Sequence, residues 1–283
     1  LPVVLPNGED PATFTVGKEA YVGPGKIFNS QFLDGLDVEA AKAEAIARTV
    51  LAGDPFTENS VGLSTLATAR RLLGHALRNQ GRPAEAIPHL VRAVAEQEKA
   101  RGPDDQSTIA ALSSLGHLHG LTGDVRKRVE IQRDVHARSA RRWGEAHQYT
   151  LVERLNLGDA EHDVGRPEVA AAHLQAAVDG LVATAGEGSS LVHAARYSLA
   201  NALASLGRHA QALAVIERIQ AARLATASAD AKGDGKLLAL HGRVLLGLGR
   251  TAAGREQLQR GIEQLQQDGA DEAELAPLRR QLP

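Results

Sequence analysis

Apolar and tiny residues recur along most of this chain with a period far longer than one helix. Glycine stands at 81, 123, 165, 207 and 249, always 42 residues apart and always followed by Arg or Asp (Arg82, Asp124, Arg166, Arg208, Arg250). Eight residues before these glycines come Leu73, Leu115, Leu157 and Leu199, and seven before come Gly74, Gly116, Gly158, Ala200 and Gly242. On the far side, Ala86, Ala170, Ala212 and Gly254 follow after five residues, and Leu90, Leu174, Ile216 and Leu258 after nine. A leucine beside a tiny residue, answered by the same combination across a glycine turn, is the signature of two helices packed closely together. Glycine inside a helix costs about 0.5–1 kcal/mol relative to alanine. Four interior glycines at one position therefore need a compensation, and close approach of Gly74 to Ala86 or Gly158 to Ala170 supplies it. One such pair cannot bury its own apolar face, so the repetition implies a stack of pairs.

The pattern predicts helix pairs at 63–80 with 84–101, 107–122 with 126–142, 148–164 with 168–185, 190–206 with 210–227, and 235–248 with 252–267. Pro83 fits a first-turn position, where its missing N–H is harmless. A charge-rich piece at about 272–281 supplies the polar cap that a stack end requires. Ahead of the pairs, Val38–Ala52 is a strong helix former closed by Gly53-Asp54-Pro55. Composition changes near Asp37, with all four phenylalanines (Phe14, Phe28, Phe32, Phe56) before residue 57. Residues 1–36, with β-prone runs at 12–16 and 20–22, form an irregular N-terminal arm. Residues 37–283 form the helical repeat domain. The chain opens at Leu1 without the regions of a signal peptide, so it is expected to be a processed protein or an excised part of a longer one.

The small residue, turn glycine and following alanine at these spacings resemble the tetratricopeptide repeat. The 42-residue period and the linker Gly144-Glu-Ala-His147-Gln-Tyr-Thr150 resemble its kinesin-light-chain variety, with Gly102-Pro-Asp-Asp-Gln-Ser-Thr108 as a weaker copy. This resemblance covers residues 63 to 267 and implies an all-α, right-handed α-α superhelix of five to six helix pairs. A softer resemblance links Glu39–Ala45 and Gly53–Phe56 to the lead-in of tetratricopeptide tails on bacterial membrane-bound serine/threonine kinases. Three places depart from the pattern. Arg128 and Gln132 stand where Ala and an apolar residue are expected, which implies either a helix rotated onto Val125, Val129 and Val135, the blander account, or a pair exposed to a partner. His241, Gly254 and Gly261 suit a loosened terminal pair. The linker Ser228–Asp234 also breaks the repeat.

Charge and composition narrow the function. The net charge is −2 with both signs interspersed, unlike the basic stripe of a nucleic-acid binder. No apolar run is long enough for membrane insertion of this segment. There is no cysteine, hence no thiolate site or thiol nucleophile, and the count suits cytoplasm or periplasm alike. The kinase-tail resemblance leans toward a periplasmic tail of a membrane-anchored protein. Gly23-Pro-Gly-Lys26 and Gly233-Asp-Gly-Lys236 lack the glycine spacing and Ser/Thr of a phosphate loop. Ser189 and Ser190 are in no nucleophile elbow. His117 and His119 fall on different faces of a helix and do not form a metal set. No enzyme activity, cofactor or metal is expected.

In the family that the repeats resemble, the first helix of each pair lines the inner face. Carried onto this chain, the position six before each turn glycine gives His75, His117, Asp159, Asn201 and Arg243, all polar. Near them on the same helices lie Arg71, Ser113 and Tyr197 and, to the other side, Arg78, Asn79 and His162. A polar ladder on Ala/Leu-rich helices suits an extended peptide backbone, with specificity from its charged members; the competing account is that concave faces are simply wetted. The expected function is a non-catalytic scaffold binding a peptide segment of a protein partner in its concave groove, with homodimerisation open. The alternative is a regulatory or sensory tail of a larger bacterial signalling protein, a kinase or transcription regulator.

Overall fold

The computed structural model describes residues 33–52, 60–225 and 235–282. The described residues form twelve α-helices and no strand: α1 (Leu33–Ala52), α2 (Ser60–Asn79), α3 (Pro83–Arg101), α4 (Gln106–Leu121), α5 (Val125–Trp143), α6 (Gln148–Asp163), α7 (Pro167–Ala185), α8 (Ser190–Ser205), α9 (His209–Ala225), α10 (Gly235–Gly247), α11 (Thr251–Gln267) and α12 (Glu272–Arg279). The fold class is the all-α superhelical repeat, and the paired helices start and stop within a few residues of their predicted bounds. Helix α1 begins at Leu33, five residues ahead of the expected start. The N-terminal arm, apart from that overlap, and the linker Ser228–Asp234 lie outside the described residues. Two compact units divide the chain, one ending at Gly123 and one running from Asp124 to Pro283.

Two rows of glycine punctuate the helices. The row at 81, 123, 165, 207 and 249 closes the first helix of each pair, and a second row at 102, 144 and 186 closes the second helix. Interleaved, they fall every 21 residues up to Gly207, each with φ between +71° and +92°, where a side chain would be strained. After Gly81, Gly165, Gly207 and Gly249 the next residue donates back into the helix, as Arg166 N does to Glu161 O at 2.9 Å and Arg208 N to Leu203 O at 2.9 Å. These are the six-to-one bonds of the Schellman motif. In the second row the glycine N–H itself reaches back four residues, as from Gly144 to Ala140 at 2.9 Å.

Three residues beyond each second-row glycine stands an N-cap, again 42 residues apart. Asp105 accepts from Ser107 N at 2.9 Å, His147 Nδ1 from Tyr149 N at 3.2 Å, and Ser189 from Leu191 N at 3.3 Å. Three different side chains thus perform one task, satisfying an N–H at the helix start that has no partner within the helix.

Packing differs from pair to pair. Between α6 and α7, a methyl added at Gly158 would lie 2.6 Å from Leu174 Cγ, and one at Gly74 would lie 3.0 Å from Leu90 Cγ. There the answering leucine of the second helix fills the space above the glycine. The last pair is different. A Cβ at Gly242 would meet Leu258 N at 2.5 Å and Gly254 O at 2.8 Å, and one at Gly261 would meet Ala239 N at 2.5 Å. So α10 and α11 touch backbone to backbone. The expectation of a loosened terminal pair is therefore wrong, because removing two more Cβ atoms lets the helices close up.

Helix α5 also corrects an expectation. Gln132 and Val135 are buried at 2% and 0% exposure, in register with Leu90 and Ala93 of α3 and Leu174 and Ala177 of α7. The helix has not rotated. It keeps the common register and buries an amide, whose Oε1 has no hydrogen-bond partner. In the second unit the core runs continuously from Leu151 through Leu174, Leu181, Leu199 and Ile216 to Leu240. Each such leucine contributes about 1.5–3 kcal/mol by leaving water. Leu275 of α12 then covers Leu258, Ile262 and Leu265.

The two kinds of glycine contact should separate on mutation. Gly74→Ala gains roughly 1 kcal/mol of helix propensity against a leucine side chain that gives way, so its stability should stay near that of the parent. Gly242→Ala drives a methyl into backbone and should lose about 1–3 kcal/mol. Urea unfolding of both variants reads the difference, and equal midpoints would mean that α10 and α11 do not meet through their backbones.

Candidate partner-binding surface

The first helix of each pair carries the residues picked out by the inner-face argument, and each unit presents its own part of the row. In the first unit, Arg71, His75, Arg78 and Asn79 of α2 are half-buried and His117 of α4 is exposed. Ser113 is 1% exposed, so it belongs to the packed face of α4. His75 Nε2 lies 3.2 Å from the Ser114 hydroxyl of the next first helix. Arg78 donates to Asn79 Oδ1 from Nη2 at 3.0 Å and from Nε at 3.2 Å.

In the second unit the row runs over α6, α8 and α10. Asp159, His162, Tyr197, Asn201 and Arg243 are all half-buried. Arg243 Nη1 donates to Asn201 Oδ1 at 3.4 Å, across 42 residues of sequence. His162 Nε2 lies 2.9 Å from the Ser205 hydroxyl. The Ser198 hydroxyl donates to the Asp159 carboxylate. Arg128 of α5 pairs with Asp163 one turn further on. Tyr197 packs against the core with one side of its ring.

The row is therefore stitched to itself. His75 with Ser114 and Asp159 with Ser198 are the same contact in two repeats, the ladder position bonding 39 residues ahead. The serine partners were not singled out from the sequence. Their column reads Leu72, Ser114, Asn156, Ser198 and Leu240, and only its serines signal the bond. Equally unforeseen is Glu161, 1% exposed, whose carboxylate accepts from Arg133 at 2.5 and 2.9 Å and from Arg166 at 3.3 Å. It occupies a column that holds Leu77, His119, Leu203 and Leu245 elsewhere.

Electrostatics distinguish two members. Burial pushes the Asp159 carboxyl up to about 6, with neighbouring Asp163 adding to the shift and the Ser198 hydroxyl and Arg128 opposing it. Burial holds His75 down at about 3, helped by Arg78, Arg71 and His117. His75 is thus a neutral imidazole at any physiological pH. Among the described residues no group of three His, Cys, Asp or Glu is placed to hold a metal ion, and no helix is long and apolar enough to cross a membrane.

Comparison with known proteins matches this architecture. Residues 65–127 fit the family model described as tetratricopeptide repeat. The structure is similar to BtubC (BKLC) from P. vanneervenii, with a TM-score of 0.64 at 18% identity over 82% of this chain and 90% of that one. It is also similar to a putative kinesin light chain with nearly identical TPR-like repeats from Podosopora anserina, with a TM-score of 0.62 at 20% identity over 74% of this chain and 99% of that one. At such identities the likeness is one of fold. Among curated proteins, a stretch of 48 residues is 98% identical to the leucine–tRNA ligase of Caulobacter vibrioides, covering 17% of this chain and 6% of the ligase. The ligase of Rhodospirillum centenum matches at 64% over 52 residues, 18% of this chain and 6% of that enzyme. The chain thus spans about 6% of the length of the curated relatives it matches.

The two titrations oppose each other. Between the ordinary carboxyl value of 3.8 and about 6, the folded chain holds a proton on Asp159 that the unfolded chain has lost, so this contribution falls as pH rises. Below 6.5 the unfolded chain protonates His75 while the folded chain refuses the proton, so this contribution falls as pH drops toward 3. Asp159→Asn removes only the first. It should melt above the parent at pH 7.5, with the gap narrowing at pH 4. A gap independent of pH would show that the carboxylate is not desolvated.

Proposed function

We propose that this chain, which carries tetratricopeptide repeats of the kinesin-light-chain kind, is a non-catalytic scaffold that holds an extended segment of a protein partner along the first helices of its second unit. That a tetratricopeptide fold serves protein–protein interaction is the general ground. The observation that carries the finer reading is the recurrence of half-buried polar side chains at one position of α6, α8 and α10: Asp159, Asn201 and Arg243. Such a row offers donors and acceptors at regular intervals to a backbone that has lost its own partners. Its mixed signs select a segment with mixed polarity rather than a run of one charge. First and second helices both contribute to the apolar core beside the row, as Leu155 and Leu199 do with Leu174 and Ile216.

The test begins with selection of peptides from a random display library on the full chain, followed by calorimetric titration of the best binder. Asn201→Ala with Arg243→Ala removes hydrogen bonds worth about 0.5–3 kcal/mol once desolvated, and should weaken binding about tenfold or more. Exposed-side changes of this kind shift stability by about 0.5 kcal/mol or less, so circular dichroism and melting temperature should barely change. Equal affinities in parent and variant would remove the row as the working surface.

A further inference from the structure

The only tryptophan of the chain sits at a corner where three aromatic rings meet in solvent. Trp143 ends α5, and its ring centroid lies 5.7 Å from that of His147 with planes 16° apart. Tyr149, in the first turn of α6, lies 5.3 Å from Trp143 and 5.5 Å from His147. The Arg142 guanidinium carbon stands 5.2 Å from the centre of the Trp143 ring. Tyr149 is 44% exposed, His147 is exposed and Trp143 is half-buried. The N-cap of α6 uses His147 alone. The indole and the phenol are therefore not explained by helix capping.

Two arginines, Arg141 and Arg142, end α5 at the same corner, and Glu145 of the linker that follows pairs with Arg154. Helix α5 holds seven Lys or Arg against two Asp or Glu, in a chain whose net charge is −2. Arg128 and Arg133 meet Asp163 and Glu161 of α6, and Lys127 and Arg138 meet Glu130 and Asp134 of their own helix. Arg141 and Arg142 occupy the last turn, both exposed, and Arg142 lies against the Trp143 ring. The helix dipole favours cations there, but it does not call for exposed aromatics beside them.

We propose that Arg141, Arg142, Trp143, His147 and Tyr149 form a docking site for an acidic segment of a protein partner, separate from the polar row. Trp, Tyr and Arg are the residues that dominate binding energy at protein interfaces. A guanidinium stacked on indole engages by its face, while its N–H edge is the part that makes forked contact with a carboxylate. The rings add apolar contact area with few rotatable bonds. Tyr149 precedes Asp159 by ten residues on α6, about 15 Å along the axis, so the corner and the row are at opposite ends of that helix. A nucleic acid would need a basic stripe to follow its backbone. This cluster is confined to one helix end, in a chain of pI 6.6, and so suits one or two carboxylates.

Because Trp143 is the sole tryptophan, its fluorescence reports on this corner alone. The full chain is titrated with a dodecapeptide of alternating Asp and Glu, and in parallel with oligodeoxythymidylate of the same length. A saturable change in emission with the peptide, weakening as salt rises, is expected. Arg141→Glu with Arg142→Glu should weaken it about tenfold or more, whereas Arg126→Glu, about 22 Å away at the other end of α5, should leave it within about twofold. His147→Asp keeps a capping side chain, as Asp105 shows at the equivalent position, and should also weaken binding by adding a negative charge. Absence of a saturable peptide response, equal losses in the Arg126 and Arg141/Arg142 variants, or a tighter response to the oligonucleotide would each overturn the proposal.

Discussion

The left-handed glycine that ends each of seven successive helices is the constraint on which this fold depends. Helices α2 to α8 are each cut off by a residue in a conformation that only glycine adopts without strain, and these seven cuts fall 21 residues apart. Equal cuts make equal pairs, with helices of 19 and 16 residues alternating from α3 to α8, and equal pairs bring the same position of successive pairs together. The bonds of His75 with Ser114, His162 with Ser205 and Arg243 with Asn201 span 39, 43 and 42 residues for that reason. One inserted residue would turn everything beyond it by about 100° around the helix axis, burying the polar column and exposing the leucines. The regularity is thus a geometric requirement of the stack.

Half of that punctuation was plain in the sequence. The glycines at 81 to 249 stand out because tiny residues flank them at fixed distances. Gly144 and Gly102 show only as the heads of two copies of one linker, Gly186 heads a linker of different composition, and position 228, where the series would continue, is a serine. The N-cap column was obscured similarly, since Asp105, His147 and Ser189 share an acceptor atom rather than a residue type. The apparent anomalies of α5, Arg128 and Gln132, misled because they look unfit for a core, yet Gln132 is buried and Arg128 half-buried. Register there follows the glycines on either side, and the side chains conform to it.

The polar ladder was legible as a set of positions but not as a network. Its partners sit three residues earlier in the next repeat, a column with serine in only two places, and no single-helix pattern reveals a bond between columns. The consequence for recognition is physical. Side chains already tied to a neighbour, such as Asn201 to Arg243, have lost much of their rotamer freedom before a partner arrives. Immobilising each free side chain costs about 0.5–1.5 kcal/mol on binding, and stitching within the row lowers that cost. It also means that the row contributes to cohesion between successive first helices, at the level of single, mostly half-buried hydrogen bonds.

Along the second unit, polarity and alkane packing are unevenly shared. From α7 to α10 the core is Leu, Val, Ile and Ala, with Arg196 of α8, among the described residues, the one charged side chain buried with them. At α5 and α6 it admits Gln132, Glu153, Asn156 and Glu161. A buried carboxylate between Arg133 and Arg166 adds little net stability compared with the leucine found at the same position in other repeats. Its effect is selective, because any other register of α5 on α6 would leave Glu161 in the core without its arginine partner, which costs far more than a misplaced leucine. Sequences break local consistency mainly where function or specificity requires it. The two helices that break it here also carry Asp159 and the corner of Trp143, His147 and Tyr149, so the region that sacrifices most packing is also the one best equipped with groups to offer a partner.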